Sequence, residues 1–553
     1  MATWHDLAEQ LFPKVTTTIP DLLAKYPERT EPVALRFAPS PTGYLHFGGL
    51  YTSFVGWKYA KEHQGIYFLR IEDTDQKREV EGAASLLIQS LKKFGITIDE
   101  GPLGENESDV GEYGPYFQSK RADFYKVFIK HLIREGLAYP CRMSEGELNT
   151  IRDTQMKSKQ IPGIYGRYST YRDWTPDQLL ERYNQEGQTF SVLRFRSHGD
   201  TSKKIVFEDE IRGVVSMIDN YNDIVILKGD GLPTYHLAHI VDDTLMRASL
   251  VTRGEEWLTS VPLHLQLFDA FGLRAPKYAH LATICKIDAE TGKKRKLSKR
   301  HDPEANVHFF FEKGYSTQGL IEYILTLASS SFEDWRRENP LLPISDFDFR
   351  LDKMNVSGPL FDEVKLNWVN NAYLSAISTP ELYQQTLAWA EEFQPEFSTY
   401  LKQYPEYAEA AMNIERHTEK DPKRFTLYSD VQHQLLFFFD TEWEKGRAQR
   451  IDLLSELNQE NLPAFVKDYI NNVDLTTEDA GVRFSQLKEI GRKYGYAANN
   501  AEFKEGGFVG KVGDLAMFLR VQLCNAKQTP DLFSVMKVMG KARVVERLEK
   551  YLG

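Results

Sequence analysis

Apolar and polar positions divide the 553-residue chain into a front half of mixed rhythm and a back half of helical rhythm. Short apolar runs that read as buried strands occur at Val33-Ala34-Leu35, from Gly65 to Ile71, from Ile224 to Lys228 and from Ser249 to Thr252. Helical spacing lies between them: Leu50, Phe54, Trp57 and Tyr59 after the first run, then about residues 80–94 and 121–136. Strands alternating with helices predict a parallel sheet with helices on its faces. From Ala138 to about Val206 the rhythm changes. Short strands at Val192 to Arg196 and Ile205 to Phe207 alternate with polar helices at about 144–159 and 176–185, which predicts an α+β insertion. The α/β rhythm returns at Ile224, and Thr234 is placed to cap a helix beginning at Tyr235. Residues 1–30 read as a short helical extension. From about residue 379 onward amphipathic helices follow one another, as in Leu382, Tyr383, Leu387 and Ala390.

Composition narrows the class. The chain is 42% hydrophobic and 27% charged, ordinary for a soluble globular protein. No apolar run approaches the roughly 20 residues of a membrane span. Asp6, Glu9, Asp21 and Glu28 fall in the first thirty residues and argue against a signal or transit peptide, so a cytoplasmic protein is the simplest expectation. Cys141, Cys285 and Cys524 are far apart and form no CxxC, so neither a disulfide framework nor a zinc site is expected. The net charge of −11 does not suggest a nucleic-acid partner, but phosphate is bound by local patches. One such patch is Lys293-Lys294-Arg295-Lys296, continued by Lys299 and Arg300.

The chemistry concentrates after the first strand, in Arg36-Phe37-Ala38-Pro39-Ser40-Pro41-Thr42-Gly43-Tyr44-Leu45-His46-Phe47-Gly48-Gly49. Two prolines and a glycine force a tight loop. Gly48 and Gly49 stand where the helix should begin, so an anion can approach backbone N–H groups there, with His46 as a further donor. The second strand ends in Glu72-Asp73-Thr74-Asp75 and a later one in Arg253. Carboxyl ends of parallel strands line the ligand crevice of such sheets. Tyr235 and His239 share one helix face.

Two signatures stand in order, Pro39 to Gly49 and Lys296-Leu297-Ser298-Lys299-Arg300. They resemble the HIGH and KMSKS motifs of class I aminoacyl-tRNA synthetases. With Arg70-Ile71-Glu72-Asp73-Thr74-Asp75, Leu232-Pro233-Thr234-Tyr235-His236 and Phe361-Asp362-Glu363-Val364-Lys365-Leu366, the chain resembles the bacterial glutamyl-tRNA synthetases from about residue 33 to 553. It departs in having Phe47 for the Ile of HIGH and His239 where many relatives have Asn. The fold implied is α/β: a Rossmann-like class I catalytic domain with an α+β insertion, then an all-α C-terminal anticodon-binding region. The boundaries implied are an extension at 1–30, catalytic halves at 31–137 and 207–300, an acceptor-binding insertion at 138–206, a stem-contact helical domain at 301–378 and an anticodon-binding domain at 379–553.

The resemblance implies ATP-dependent ligation of L-glutamate to tRNA(Glu) through glutamyl-adenylate. It assigns catalysis to His46, Lys299 and Lys296. ATP falls to Thr42, Gly43, His46, Gly48, Gly49, Lys296, Ser298 and Lys299. Glutamate falls to Arg36, Ser40, Glu72, Tyr235, His239 and Arg253. Rough alignment offers Arg416 and Arg520 for tRNA, and a basic face formed by Lys537, Lys541, Arg543, Arg547 and Lys550 reads as a surface for RNA. The cofactors expected are ATP and Mg²⁺, and the partners are tRNA(Glu), with tRNA(Gln) left open, and L-glutamate, acting on a monomer with no membrane. The rival readings are a glutaminyl-tRNA synthetase and a catalytically inactive tRNA-binding paralogue.

Overall fold

The computed structural model describes residues 1–552 except 76–79, 105–106, 188, 299, 341, 420, 456, 473 and 475–478. The chain divides into two compact units, residues 1–309 with 324–362, and residues 310–323 with 363–553.

The first unit opens with α1 (Trp4–Leu11) and α2 (Ile19–Lys25), each begun by a reciprocal Thr–Asp capping box. Then come β1 (Ala34–Phe37), α3 (Phe47–Glu62), β2 (Ile66–Leu69), α4 (Ala83–Lys93), α5 (Ala122–Arg134) and β3 (Ala138–Cys141). The next elements are α6 (Glu145–Lys157), α7 (Pro176–Gln185), β4 (Val192–Phe195), β5 (Lys204–Asp209), β6 (Gly213–Ile218) and β7 (Val225–Leu227). They lead into α8 (Tyr235–Leu245), β8 (Leu250–Gly254), α9 (Val261–Ala270), β9 (Lys277–Leu281) and the hairpin of β10 (Cys285–Ile287) with β11 (Lys294–Lys296).

The main sheet has the order β2-β1-β8-β9-β5-β6, parallel except for the antiparallel edge strand β6. A smaller antiparallel sheet has the order β3-β4-β7. This corrects the strand placement expected from rhythm. The run at Ile205 to Phe207, expected in the insertion, is part of β5 and joins the main sheet. The run at Ile224 to Lys228, expected to resume the main rhythm, is β7 and closes the small sheet. Pairing is decided by distant partners, here Asp209 opposite Tyr278 and Leu193 opposite Leu227, which local periodicity does not encode.

Buried apolar side chains from α1, α2, α5, α8 and α9 form one cluster that includes Leu7, Leu22, Phe128, Leu132, Ile240 and Leu267. The expected extension is thus part of the core. Lys130 of α5 is buried, and its ammonium donates to Glu9 Oε2 (2.7 Å) and to the carbonyls of Phe12 (3.1 Å) and Val15 (2.6 Å). On the other side of the sheet α3 packs so closely that a Cβ on Gly56 would come within 2.8 Å of Thr252 Oγ1. A glycine there lets the helix lie against β8 and sets the level at which its N-terminus meets the strand ends.

Among the described residues, the regular structure of the second unit is helical apart from a two-residue parallel pairing of Tyr496–Ala497 with Gly510–Lys511. Its core includes Leu382, Phe397, Val431, Phe438, Phe465, Leu515 and Val535, all buried. Among the described residues, no helix of the chain is long and apolar enough to cross a membrane.

Candidate active site

The strand order reverses at β1, with β2 on one side and β8 on the other. Just beyond the carboxyl ends of these strands lies a cavity of about 390 Å³. Switch points of this kind are where parallel α/β sheets bind ligands. The loop from Ala38 to Leu45 forms one wall. Its turn uses Gly43 at φ +111°, a backbone conformation that a side chain would strain. His46 then occupies the N-cap of α3, and its Nδ1 accepts the Gly48 N–H at 2.9 Å. The sequence reading left that N–H for the ligand, so this is a correction: Gly48 caps through His46. Because Nδ1 accepts, the imidazole carries its proton on Nε2 and is a donor there. Phe47 is fully buried, edge-on to Phe361 with ring centroids 5.8 Å apart, so the aromatic replacement packs inward.

Arg36, Ser40, His46, Gly48, Gly49, Glu72, Tyr235, Arg253 and Lys296 all line this one cavity. Arg36 projects from β1, and its Nε lies 3.1 Å from Asp243 Oδ1 on α8. Arg70 donates to the same Asp243 oxygen at 2.6 Å and to Glu72 Oε1 at 3.2 Å. The two guanidinium groups therefore share one fully buried carboxylate, and Glu72 is held at the cavity wall. Burial alone would raise the Asp243 pKa, but Arg36, Arg70 and His239 overcome it and hold the carboxyl well below its ordinary range. Glu72 goes the other way: burial raises its pKa against the pull of Arg70 and Arg36. Arg253 comes from β8. Its Nη1 donates to the Tyr235 hydroxyl at 3.3 Å, and its Nη2 donates to the Trp257 carbonyl at 3.4 Å. Tyr235 is tilted against Trp257, with centroids 4.2 Å apart.

Lys296 ends β11, and its ammonium meets Glu256 Oε1 at 2.8 Å on the cavity wall. Lys294 and Arg295 of the same run are engaged away from the cavity. Lys294 donates to the Gly358 carbonyl, and Arg295 clamps Asp288 (2.9 Å) and Asp302 (2.8 Å). Those bonds from Arg295 pull the Asp302 carboxyl down to about 2, and Asp302 in turn accepts the Ser298 N–H at 2.9 Å.

Several expected residues lie off the cavity. His239 is fully buried behind Tyr235, its ring stacked at 5.6 Å and 12°, with Nδ1 2.9 Å from Asp243. Burial pushes its pKa down to about 3, so it is neutral and supports the pocket from behind. Thr42 and Gly43 shape the loop without lining the cavity, and Ser298 binds Asp302. Thr234 is at the N-cap of α8, but its hydroxyl donates to the Val225 carbonyl at 2.7 Å and makes no cap bond. Lys299 lies outside the described residues. In the second unit Arg416 is buried, its Nη2 donating to the Ile377 carbonyl at 2.7 Å, and Arg520 Nε donates to Thr529 Oγ1 at 2.9 Å. Arg547 is also buried and donates to the carbonyls of Phe437 and Leu523, each at 2.7 Å. Arg416 and Arg547 are therefore structural in this conformation, since each guanidinium satisfies chain carbonyls that burial would otherwise orphan.

The sequence reading missed Asp243, Trp257, Glu256, Tyr51 and Thr252. Tyr51 and Thr252 line the cavity, and their hydroxyls are buried with no hydrogen-bond partner among the described residues.

Residues 32–338 match the family described as tRNA synthetases class I (E and Q), catalytic domain, and residues 359–552 match an anticodon binding domain. The chain is 42% identical to the glutamate–tRNA ligase of Clostridium perfringens (strain SM101 / Type A), over all of both chains. It is 38% identical to that of Sorangium cellulosum (strain So ce56), covering 96% of this chain and 97% of the relative. Among solved structures, a glutamate tRNA ligase from Elizabethkingia meningosepticum CCUG26117 in complex with its amino acid aligns at a TM-score of 0.71. That alignment has 28% identity and covers 94% of this chain and 99% of that one.

Proposed function

Because the chain belongs to the glutamate–tRNA ligases of the class I aminoacyl-tRNA synthetases, we propose that it activates L-glutamate in the β1–β8 cavity and transfers it to tRNA(Glu). The observation that supports this reading most is that two arginines and one glutamate, complementary to a diacid carrying one ammonium, share a cavity with His46 and Lys296.

In the first step an α-carboxylate oxygen of glutamate forms a bond to the α-phosphorus of ATP, and the bond to pyrophosphate breaks. The carboxylate is already ionised at neutral pH, so the protein's task is alignment and stabilisation of phosphate charge. His46 offers its Nε2 proton to the phosphates. Lys296 and Lys299 hold the pyrophosphate side. Arg36 takes the side-chain carboxylate with a paired guanidinium edge, and Arg253 takes the other end of the diacid. Glu72 and Ser40 receive the ammonium, with Tyr235 closing the wall. In the second step the terminal ribose hydroxyl of the tRNA attacks the carbonyl, and AMP leaves. Mg²⁺ would travel with the phosphate oxygens and water. Glu72 and Glu256 are paired with Arg70 and Lys296, and among the described residues no group of three or more His, Cys, Asp or Glu is arranged to hold a metal ion, so no step is assigned to the ion.

The test is aminoacylation with labelled glutamate and glutamine on purified tRNA(Glu) and tRNA(Gln), with Arg36→Ala beside the parent chain. Losing a charge-assisted contact worth about 1.5–3 kcal/mol should raise the glutamate KM by roughly 10- to 150-fold, with the ATP KM within about twofold. Charging with glutamine in preference to glutamate would overturn the amino-acid assignment. An Arg36→Ala chain that loses ATP and keeps glutamate would overturn the pocket assignment. Glutamylation of tRNA(Gln) at a comparable rate would extend the reading to that tRNA.

A further inference from the structure

Arg253, His280 and Asp209 occupy the carboxyl ends of three adjacent parallel strands, β8, β9 and β5. Arg253 is paired in register with His280, and Asp209 lies one strand further on. Only Arg253 reaches the cavity. His280 is fully buried, and Asp209 is 1% exposed. The Arg253 Nε–H donates to His280 Nε2 at 3.0 Å, and His280 Nδ1 lies 2.6 Å from Asp209 Oδ2.

Directionality follows from the donors. A guanidinium only donates, so His280 Nε2 accepts, and its proton must be on Nδ1, directed at Asp209. Asp209 is fixed in turn by the N–H groups of Ile211 (3.1 Å), Arg212 (3.0 Å) and His280 (3.1 Å). The chain of bonds runs from a cation through a neutral ring to a carboxylate anchored on backbone. A carboxylate that fixes the tautomer and tilt of a histidine is a recurring way to orient a reactive group. Here the group oriented is the guanidinium. Its Nε is taken by His280 at 3.0 Å and its face lies 4.8 Å from the Tyr278 ring; the Nη atoms make only longer bonds, Nη1 to the Tyr235 hydroxyl and His264 Nδ1 (3.3 Å each) and Nη2 to the Trp257 carbonyl (3.4 Å), and they form the edge presented to the cavity.

We propose that His280 and Asp209 are positioning residues for amino-acid recognition, setting the rotation of Arg253 so that its Nη edge meets a carboxylate of the substrate. This rests on the reading of the cavity as the glutamate site. Without the His280 acceptor, only the longer Nη bonds to Tyr235, His264 and Trp257 would hold the guanidinium, and Nε would compete for the same carboxylate.

The experiment is steady-state aminoacylation by the full chain, varying glutamate and ATP separately, for Arg253→Ala, His280→Leu, His280→Gln and the double variant Arg253→Ala with His280→Leu. His280→Leu should raise the glutamate KM about 30-fold, or about 2 kcal/mol, with the ATP KM within about twofold. His280→Gln restores an acceptor for Nε and should stay within about threefold of the parent. In the Arg253→Ala background His280→Leu should add no more than about twofold, because the residue it positions is gone. Equal rises in the glutamate and ATP KM values, no rescue by Gln, or full additivity in the double variant would overturn the proposal. If Arg253→Ala raises the glutamate KM and His280→Leu does not, the relay alone falls. If Arg253→Ala leaves that KM unchanged, the glutamate reading of the cavity falls with it.

Discussion

Asp243→Asn is the perturbation that probes the site most directly. The carboxylate is 2% exposed and meets Arg36 Nε at 3.1 Å, Arg70 Nη1 at 2.6 Å and His239 Nδ1 at 2.9 Å. Asparagine keeps the shape and one acceptor oxygen but removes the charge, leaving Arg70 with Glu72 at 3.2 Å and Asp242 at 3.8 Å and taking from Arg36 the carboxylate it pairs with. Removing one partner of a buried ion pair costs about 3–5 kcal/mol, and the retained acceptor puts the isostere near the lower end. Asp243 is held well below its ordinary carboxylate range, so its contribution is fully present above about pH 4 and is lost only as pH falls through its folded value. An assay at pH 7 therefore reads the whole effect. Hydrogen exchange of the full chain, followed on peptides from β1 and α8, measures the local opening free energy. A loss of about 3 kcal/mol should speed exchange there by about 150-fold at 1.36 kcal/mol per decade. The glutamate KM should rise in parallel, because Arg36 loses its anchor. Exchange within about twofold of the parent, together with an unchanged glutamate KM, would refute the argument that this carboxylate organises the pocket.

Two further outcomes follow from burial. His236 and His239 are driven down to about 4 and about 3, chiefly by desolvation, so the folded chain binds fewer protons than the unfolded one below pH 6.5. Their contribution is complete above pH 6.5, and each should cost about 2 kcal/mol of stability between pH 7 and pH 5, which chemical unfolding at the two pH values measures and His236→Gln should reduce by that amount. Phe47→Ala empties a fully buried site against Phe361 and should cost about 3–5 kcal/mol, read as a lower thermal midpoint; a loss under about 1 kcal/mol would show that the α3 N-terminus does not depend on that packing.

What could be read from the sequence was what is decided locally. The helix at 176–185 follows from Thr175, Pro176 and Gln178, which form a capping box with proline in the first turn. The strand ends bearing Arg36, Glu72 and Arg253 also emerge from short-range pattern, and the structure gathers them on one cavity. What escaped depends on partners far along the chain. Nothing near Ile205 or Val225 says which sheet receives it. Nothing near Arg416 or Arg547 says that its guanidinium will be enclosed among carbonyls, since the same letter serves an exposed RNA contact and a buried clasp. Asp243 stands beside Asp242 near the end of α8, and its role appears only when Arg36 and Arg70 arrive from other strands. His46 was expected to face the anion, but its second nitrogen was already assigned by the geometry of its own turn.

The packing of residues 1–30 carries a practical lesson for anyone shortening this chain. The family match begins at residue 32, which invites a cut there. Such a cut would strip Lys130 of the three oxygens it holds and uncover the apolar side of α5 where Leu7 and Leu11 rest. A minimal catalytic fragment must therefore be drawn from where the ammonium finds its acceptors, and that boundary lies ahead of α1.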